Sequence, residues 1–184
     1  FTDDELLSIF ELSEGNWFSF LSSSNRYSKE KLEGDIENLE SFYLDRGYLK
    51  YSLESIQVSV SQDKENVFIS MSILEGEKYT VHEVNIIGDI PLSENIYEPV
   101  LNSLKGQTYS QAQITQIEEY FTNLLGNEGY TFAEVRGNPE IKDDDELVDL
   151  LFIVQPGNRT YARKINFSGN HLTNDEVLRR EMRQ

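Results

Sequence analysis

Apolar and polar positions along this chain change period several times, and each change marks an element. Thr2-Asp-Asp-Glu5 reads as a capping box, with Leu6, Leu7 and Phe10 following on the apolar side of the helix it opens. Gly15 to Ser24 reads as a loop carrying Trp17, Phe18, Phe20 and Leu21, an apolar cluster expected to pack under the next helix. From Ser28 onward, Leu32, Ile36, Leu39 and Tyr43 fall at spacings of 4, 3 and 4, the stripe of an amphipathic helix. Gly34 costs that helix about 1 kcal/mol in propensity and is expected to mark close approach of the preceding helix. Gly47, within Asp45-Arg-Gly-Tyr48, supplies the left-handed residue that ends it.

Period two then takes over. Tyr51 to Ser61 alternates as a strand, but Tyr51 and Leu53 are odd whereas Ile56, Val58 and Val60 are even. That slip of phase predicts a bulge near Glu54-Ser55. Asp63-Lys-Glu-Asn66 is the expected hairpin turn, and Val67, Ile69, Met71 and Ile73 form the return strand.

The pattern then repeats. Glu75 to Gly88 is a turn, a strand with Val84 and Ile86 on one face, and a glycine before a helix start; Pro156 to Gly169 has the same order. Gly76 to Gly157, Val84 to Ile165, Ile86 to Phe167 and Gly88 to Gly169 are each 81 residues apart, while Gly47-Tyr48 to Gly129-Tyr130 is 82. A repeat of that length is an array of small domains rather than a solenoid, because about 80 residues bury a core of their own.

Within the second repeat, a helix interrupted by Pro99 is expected from Ser93 to Leu104. Ser110-Gln-Ala-Gln113 is a second capping box, opening a helix lined by Ile114, Ile117, Phe121 and Leu124. Thr131 to Val135 reads as a short strand stopped by Gly137 and Pro139, a blunted edge. Leu147 to Val154 is apolar on both faces and should be central. Each bead thus reads β-α-α-β-β, an α+β arrangement of two helices on a three-stranded mixed sheet. The first bead is read as lacking its opening strand.

Charge narrows the functions. With 33 acidic against 16 basic side chains the chain carries −17, which repels phosphate backbones and anionic lipid, so no nucleic-acid partner is expected. Cysteine is absent, which removes thiolate nucleophiles and sulfur metal sites. No apolar run approaches about 18 residues, so neither a signal peptide nor a membrane span is expected within the chain.

Candidate chemistry is sparse. His82 and His171 are expected at the surface, and Asp143-Asp-Asp-Glu146 lacks the interleaved order of a calcium loop. No catalytic, cofactor-binding or metal residue is assigned. What remains is recognition by backbone, since an edge strand offers unpaired N–H and C=O groups to an extended partner. The candidate is the run Ser55, Ile56, Gln57, Val58, Ser59 and Val60, β-branched and uncharged.

The β-α-α-β-β order, Tyr43-Leu-Asp-Arg-Gly-Tyr48, Glu75-Gly-Glu-Lys-Tyr79, Gly157-Asn-Arg159 with Arg163-Lys-Ile165, and Val177 to Gln184 carry a resemblance. Together they resemble the POTRA domains of the outer-membrane β-barrel assembly factors. The resemblance implies residues 1–77 as POTRA 3 without its first strand, 78–157 as a complete POTRA 4, and 158–184 as the opening of POTRA 5. It also implies a non-enzymatic periplasmic scaffold in a Gram-negative bacterium, with no cofactor. The implied partners are unfolded outer-membrane proteins, a BamB-like lipoprotein at POTRA 3 through the strand containing Gln57 to Val60, and a BamD-like lipoprotein near POTRA 5. Two alternatives stay open: the gate of a two-partner secretion or translocation-assembly transporter, and a passive spacer. Tyr161 to Phe167 reads as an orphan strand, so self-association through swapped strands is a further expectation.

Overall fold

The computed structural model describes residues 1–10, 25–62, 67–142, 145–161, 163–169 and 174–181. The elements run α1 (Asp3–Leu7), α2 (Asn25–Leu44), β1 (Ser52–Val60), β2 (Val67–Leu74), β3 (Thr80–Gly88), α3 (Glu94–Leu104), α4 (Gln111–Asn127), β4 (Glu134–Lys142), β5 (Leu147–Gln155) and α5 (Asp175–Glu181). They form two sheets, β1-β2 and β3-β5-β4. The aromatic loop expected over 15–24, the hairpin turn at 63–66, the first half of the acidic run (143 and 144) and His171 lie outside the described residues.

The second unit, β3 to β5, has the expected mixed sheet, with β3 parallel and β4 antiparallel to a central β5. Val148, Leu150, Phe152 and Val154 of β5 are buried and meet Leu101 and Leu104 of α3 and Ile114, Phe121 and Leu125 of α4 in one core. The other face of β5 is half-buried rather than apolar throughout, because Asp149 stands on it. In β3 the register shifts between Val81 and Val84, so both reach the core while His82 and Glu83 stay exposed. Gly88 ends β3 at a φ of +118°, where a Cβ would fall 2.1 Å from the carbonyl oxygen of Val154. No side chain fits there.

Three expectations are corrected here. The helix α3 runs unbroken through Pro99. Ser110 caps α4 by accepting from the N–H of Gln113 at 3.3 Å, but the return bond of a full capping box is not among the described contacts. The strand β4 is nine residues long rather than a stub at 131–135, and it passes through Gly137 and Pro139.

In the first unit, Thr2 and Glu5 make the full capping box of α1. The helix α2 starts at Asn25, three residues before Ser28. Among the described residues nothing lies within 4 Å of a Cβ built on Gly34, so the close approach expected there is not observed. Gly47 takes a φ of +96° as expected. Tyr43 is fully buried, its hydroxyl donates to Glu75 Oε1 at 2.7 Å, and its ring stacks on Tyr51 with centroids 4.5 Å apart. Burial and the Glu75 carboxylate together push the Tyr43 phenol well above its ordinary pKa.

The bulge is where the phase slip put it. Pairing of β1 with β2 skips from Leu53 to Ser55, leaving Glu54 without a partner across the ladder. Superposing the two ladders gives the bulge a second meaning. Ile73 and Val154 correspond at an offset of 81 (154 − 73) and pair with Leu53 and Val135, which are 82 apart (135 − 53). Beyond the bulge, Met71 and Phe152 pair with Ile56 and Gly137, now 81 apart (137 − 56). The extra residue that separates the two offsets in the sequence is the one extruded at the bulge.

The two units are joined by a repeated backbone link. The Gly47 carbonyl accepts from the N–H of Tyr79 at 2.9 Å, and the Gly129 carbonyl accepts from the N–H of Thr160 at 2.8 Å. Beyond that second link, residues 163–168 carry no sheet pairing among the described residues, although they match β3 in sequence.

Candidate protein-binding edge

The strand β1 has β2 as its single described neighbour, so its other side is a sheet edge. All six candidate residues, Ser55, Ile56, Gln57, Val58, Ser59 and Val60, lie on it and are exposed. Their cross-strand partners sort them by face. Ile56 opposes Met71 and Val58 opposes Ile69, so these apolar side chains share the face that carries the half-buried floor of the first unit. Ser55, Gln57 and Ser59 oppose Ser72, Ser70 and Phe68 on the other face. Ile56, Val58 and Val60 are 37%, 51% and 55% exposed, unusual for β-branched residues on a core-side face.

The strand β4 is also an edge, but it is closed. The N–H of Gly137 donates to Glu118 Oε1 of α4 at 2.6 Å. That N–H therefore points away from β5, and because strand groups alternate, the nitrogen of Pro139 points the same way. Pro139 has no hydrogen to offer. Gly137 also lets α4 come close: a Cβ there would lie 2.7 Å from Ile114 Cγ2 and 2.9 Å from Phe152 Cε1. The edge is blunted, as the sequence suggests, though by chemistry within a full-length strand rather than by shortness. Glu118 was not singled out in the sequence because its role depends on register across 19 residues.

By the ladder correspondence, Ile56 stands where Gly137 does and Val58 where Pro139 does. The N–H groups of Ile56 and Val58 thus face outward. Among the described contacts, no side chain caps a backbone group of β1.

One further polar cluster exists among the described residues. His82 Nδ1 lies 3.0 Å from Asp149 Oδ1, which also accepts from the N–H of Glu83 at 3.0 Å, while Lys142 Nζ pairs with Asp149 Oδ2. The Lys142 hydrogen bond leads the contacts that hold the Asp149 carboxyl below its ordinary range, with His82 and the Glu83 backbone adding to it. Glu83 and His82 come close enough to Asp149 to suggest a cation site. The lysine ammonium already occupies the role a cation would take, so the group reads as a charge pair on the outer face of the sheet.

The POTRA family, described as a surface antigen variable number repeat, matches residues 1–76 and 79–157. The chain is 29% identical over its full length to the outer membrane protein assembly factor BamA of Neisseria meningitidis serogroup B and 30% identical to that of Buchnera aphidicola. It spans only 23% and 30% of those proteins. Among solved structures it is similar to POTRA3-5 of Haemophilus influenzae BamA, with a TM-score of 0.75 and 26% identity, covering all of this chain and 72% of that one. No helix of the described residues is long and apolar enough to cross a membrane. The chain belongs to the POTRA family, as a tandem of the kind found in BamA.

Proposed function

We propose that this chain is a periplasmic scaffold of the outer-membrane protein assembly machinery that receives extended segments on the β1 edge. Its residues 1–77, 78–157 and 158–184 act as parts of successive POTRA domains. The observation that carries the reading is the open edge of β1, where outward N–H groups at Ile56 and Val58 adjoin exposed β-branched side chains. An extended segment pairing there gains backbone hydrogen bonds that any sequence can make, which suits a module handling many unfolded clients. Ser55 to Val60 are the contact residues. The occupant is a segment of an unfolded outer-membrane protein or of a BamB-like accessory lipoprotein, and a BamD-like lipoprotein meets the chain near its third repeat. The work is non-catalytic.

The test is Val58→Pro. It removes one outward donor without touching the β1-β2 ladder, and Pro139 occupies the matching place in the second unit without disrupting its sheet. Binding of an unfolded barrel segment should fall while thermal unfolding changes by less than about 1 kcal/mol. Unchanged binding by a folded Val58→Pro protein would leave the spacer role in its place.

A further inference from the structure

We infer that a three-residue lock decides which unit of the tandem accepts a strand. The inference rests on the proposed docking at β1 and extends it to the unit that does not dock. In the second unit the lock consists of Glu118, Gly137 and Pro139. Glu118 takes the outward N–H of Gly137, Gly137 admits the helix close enough for that bond, and Pro139 deletes the next outward donor. Two successive anchor points for an incoming strand are thereby lost. An added strand would leave its own carbonyl unpaired at each of them, and each such loss costs about as much as a hydrogen bond contributes.

The first unit has none of the three. Helices α2 and α4 correspond at an offset of 82: Leu39 with Phe121 and Tyr43 with Leu125 are buried pairs, and Gly47 with Gly129 both take positive φ. At the same offset Glu118 corresponds to Ile36 (118 − 36 = 82), a half-buried side chain with no acceptor to offer. The places of Gly137 and Pro139 are taken by Ile56 and Val58. Ile56 carries a side chain at the position where Gly137 leaves room for α4. The same exchange sets the partner's chemistry. A strand added to β1 points alternate side chains to the face of Ile56 and Val58 and the others to the Gln57 face. The fitting partner is therefore an extended segment of alternating apolar and polar residues.

The probe is a peptide of about ten residues alternating valine and threonine, with terminal lysines for solubility. Amide exchange is read at residues 55–60 and at 134–142 in the same sample. Wild type should gain protection on β1 and none on β4. Transplanting the lock, Ile36→Glu with Ile56→Gly and Val58→Pro, should weaken binding at least about tenfold, the equivalent of two lost hydrogen bonds. Opening the other lock, Glu118→Ala with Pro139→Val, should bring protection to β4, and this variant leaves the first unit untouched. Wild-type protection on β1 that the transplant does not weaken would overturn the lock while leaving the docking reading intact. Absence of β1 protection in wild type would overturn the docking reading, and the β4 response of the opened variant would then decide the lock by itself.

Discussion

Asp45, just past the end of α2, accepts a hydrogen bond at 2.7 Å from the N–H of Ala112 in the first turn of α4. One domain unit thus caps a helix of the next. The Ser110 side chain takes the neighbouring orphan N–H at Gln113, so the two caps divide the exposed donors of that turn between them. A carboxylate at that end also complements the positive pole of the helix. Together with the Gly47 to Tyr79 backbone bond, this contact fixes how β1 is presented relative to the second unit.

Asp45→Ala should therefore cost about 0.5–2 kcal/mol, the usual loss for a removed N-cap. Chemical unfolding measures the loss, and amide exchange at Ala112 should rise with it. Asp45→Asn should lose much less, since asparagine caps nearly as well. Equal losses for the two substitutions would argue for a role of the charge rather than the cap.

Tyr51 offers a gain. Its hydroxyl is buried with no hydrogen-bond partner among the described residues, while its ring stacks on Tyr43. Burial, with the Glu40 charge behind it, raises the Tyr51 pKa. Tyr51→Phe keeps the stacking and removes the unsatisfied oxygen, so stability should rise by up to about 1 kcal/mol. Thermal unfolding of the variant checks this, and a loss of stability would mean that the hydroxyl has a partner.

Two glycines with positive φ should respond differently to alanine. Gly88 faces the Val154 carbonyl at a distance no Cβ tolerates, whereas Gly106, at a φ of +76°, has nothing within 4 Å of the added carbon. Gly106→Ala should cost only the backbone strain, about 1–2 kcal/mol. Gly88→Ala should cost more than about 3 kcal/mol, since the end of β3 has to move off β5. Urea unfolding of the pair separates strain from collision.

The Asp149 pair gives a pH signature. Its folded pKa is lowered, by the Lys142 hydrogen bond first, so its contribution is present above the unfolded carboxylate value and disappears as pH falls through the folded one. Asp149→Asn should thus be less stable than wild type at pH 7, by under about 1 kcal/mol for so open a pair. The difference should shrink toward zero as pH drops below about 4, the ordinary aspartate range. A difference that held constant with pH would assign the loss to packing or backbone bonding rather than to charge.

Much of this architecture is legible in the residues because the local signals are strong. Thr2 to Glu5, Gly47, Gly129 and the apolar stripe of α2 report conformations that only a few residue types adopt. The bulge at Glu54 is legible because one extra residue flips every later side chain to the other face. The misread elements share a cause. Gly137 and Pro139 look like strand breakers, yet outward-facing positions on an edge need no ladder hydrogen, so β4 continues through them. Pro99 likewise stays helical. The shift inside β3 gives no such warning, since His82 and Glu83 are two polar residues that a turn, a bulge or a loop accommodates equally well. The closing of β4 by Glu118 depends on which helix face meets which strand, and local pattern does not encode that. Comparing the repeats at an offset of 82 sets Glu118 against Ile36, which marks the position but not its bond to Gly137.

The central claim is that β1 is the docking edge, and backbone amide exchange across the whole chain tests it most directly. With an unfolded outer-membrane β-barrel segment added, Ile56 and Val58 should become protected, with β4 and the second core unchanged. A bound segment that leaves Ser55 to Val60 exchanging as they do in the free protein would contradict the account.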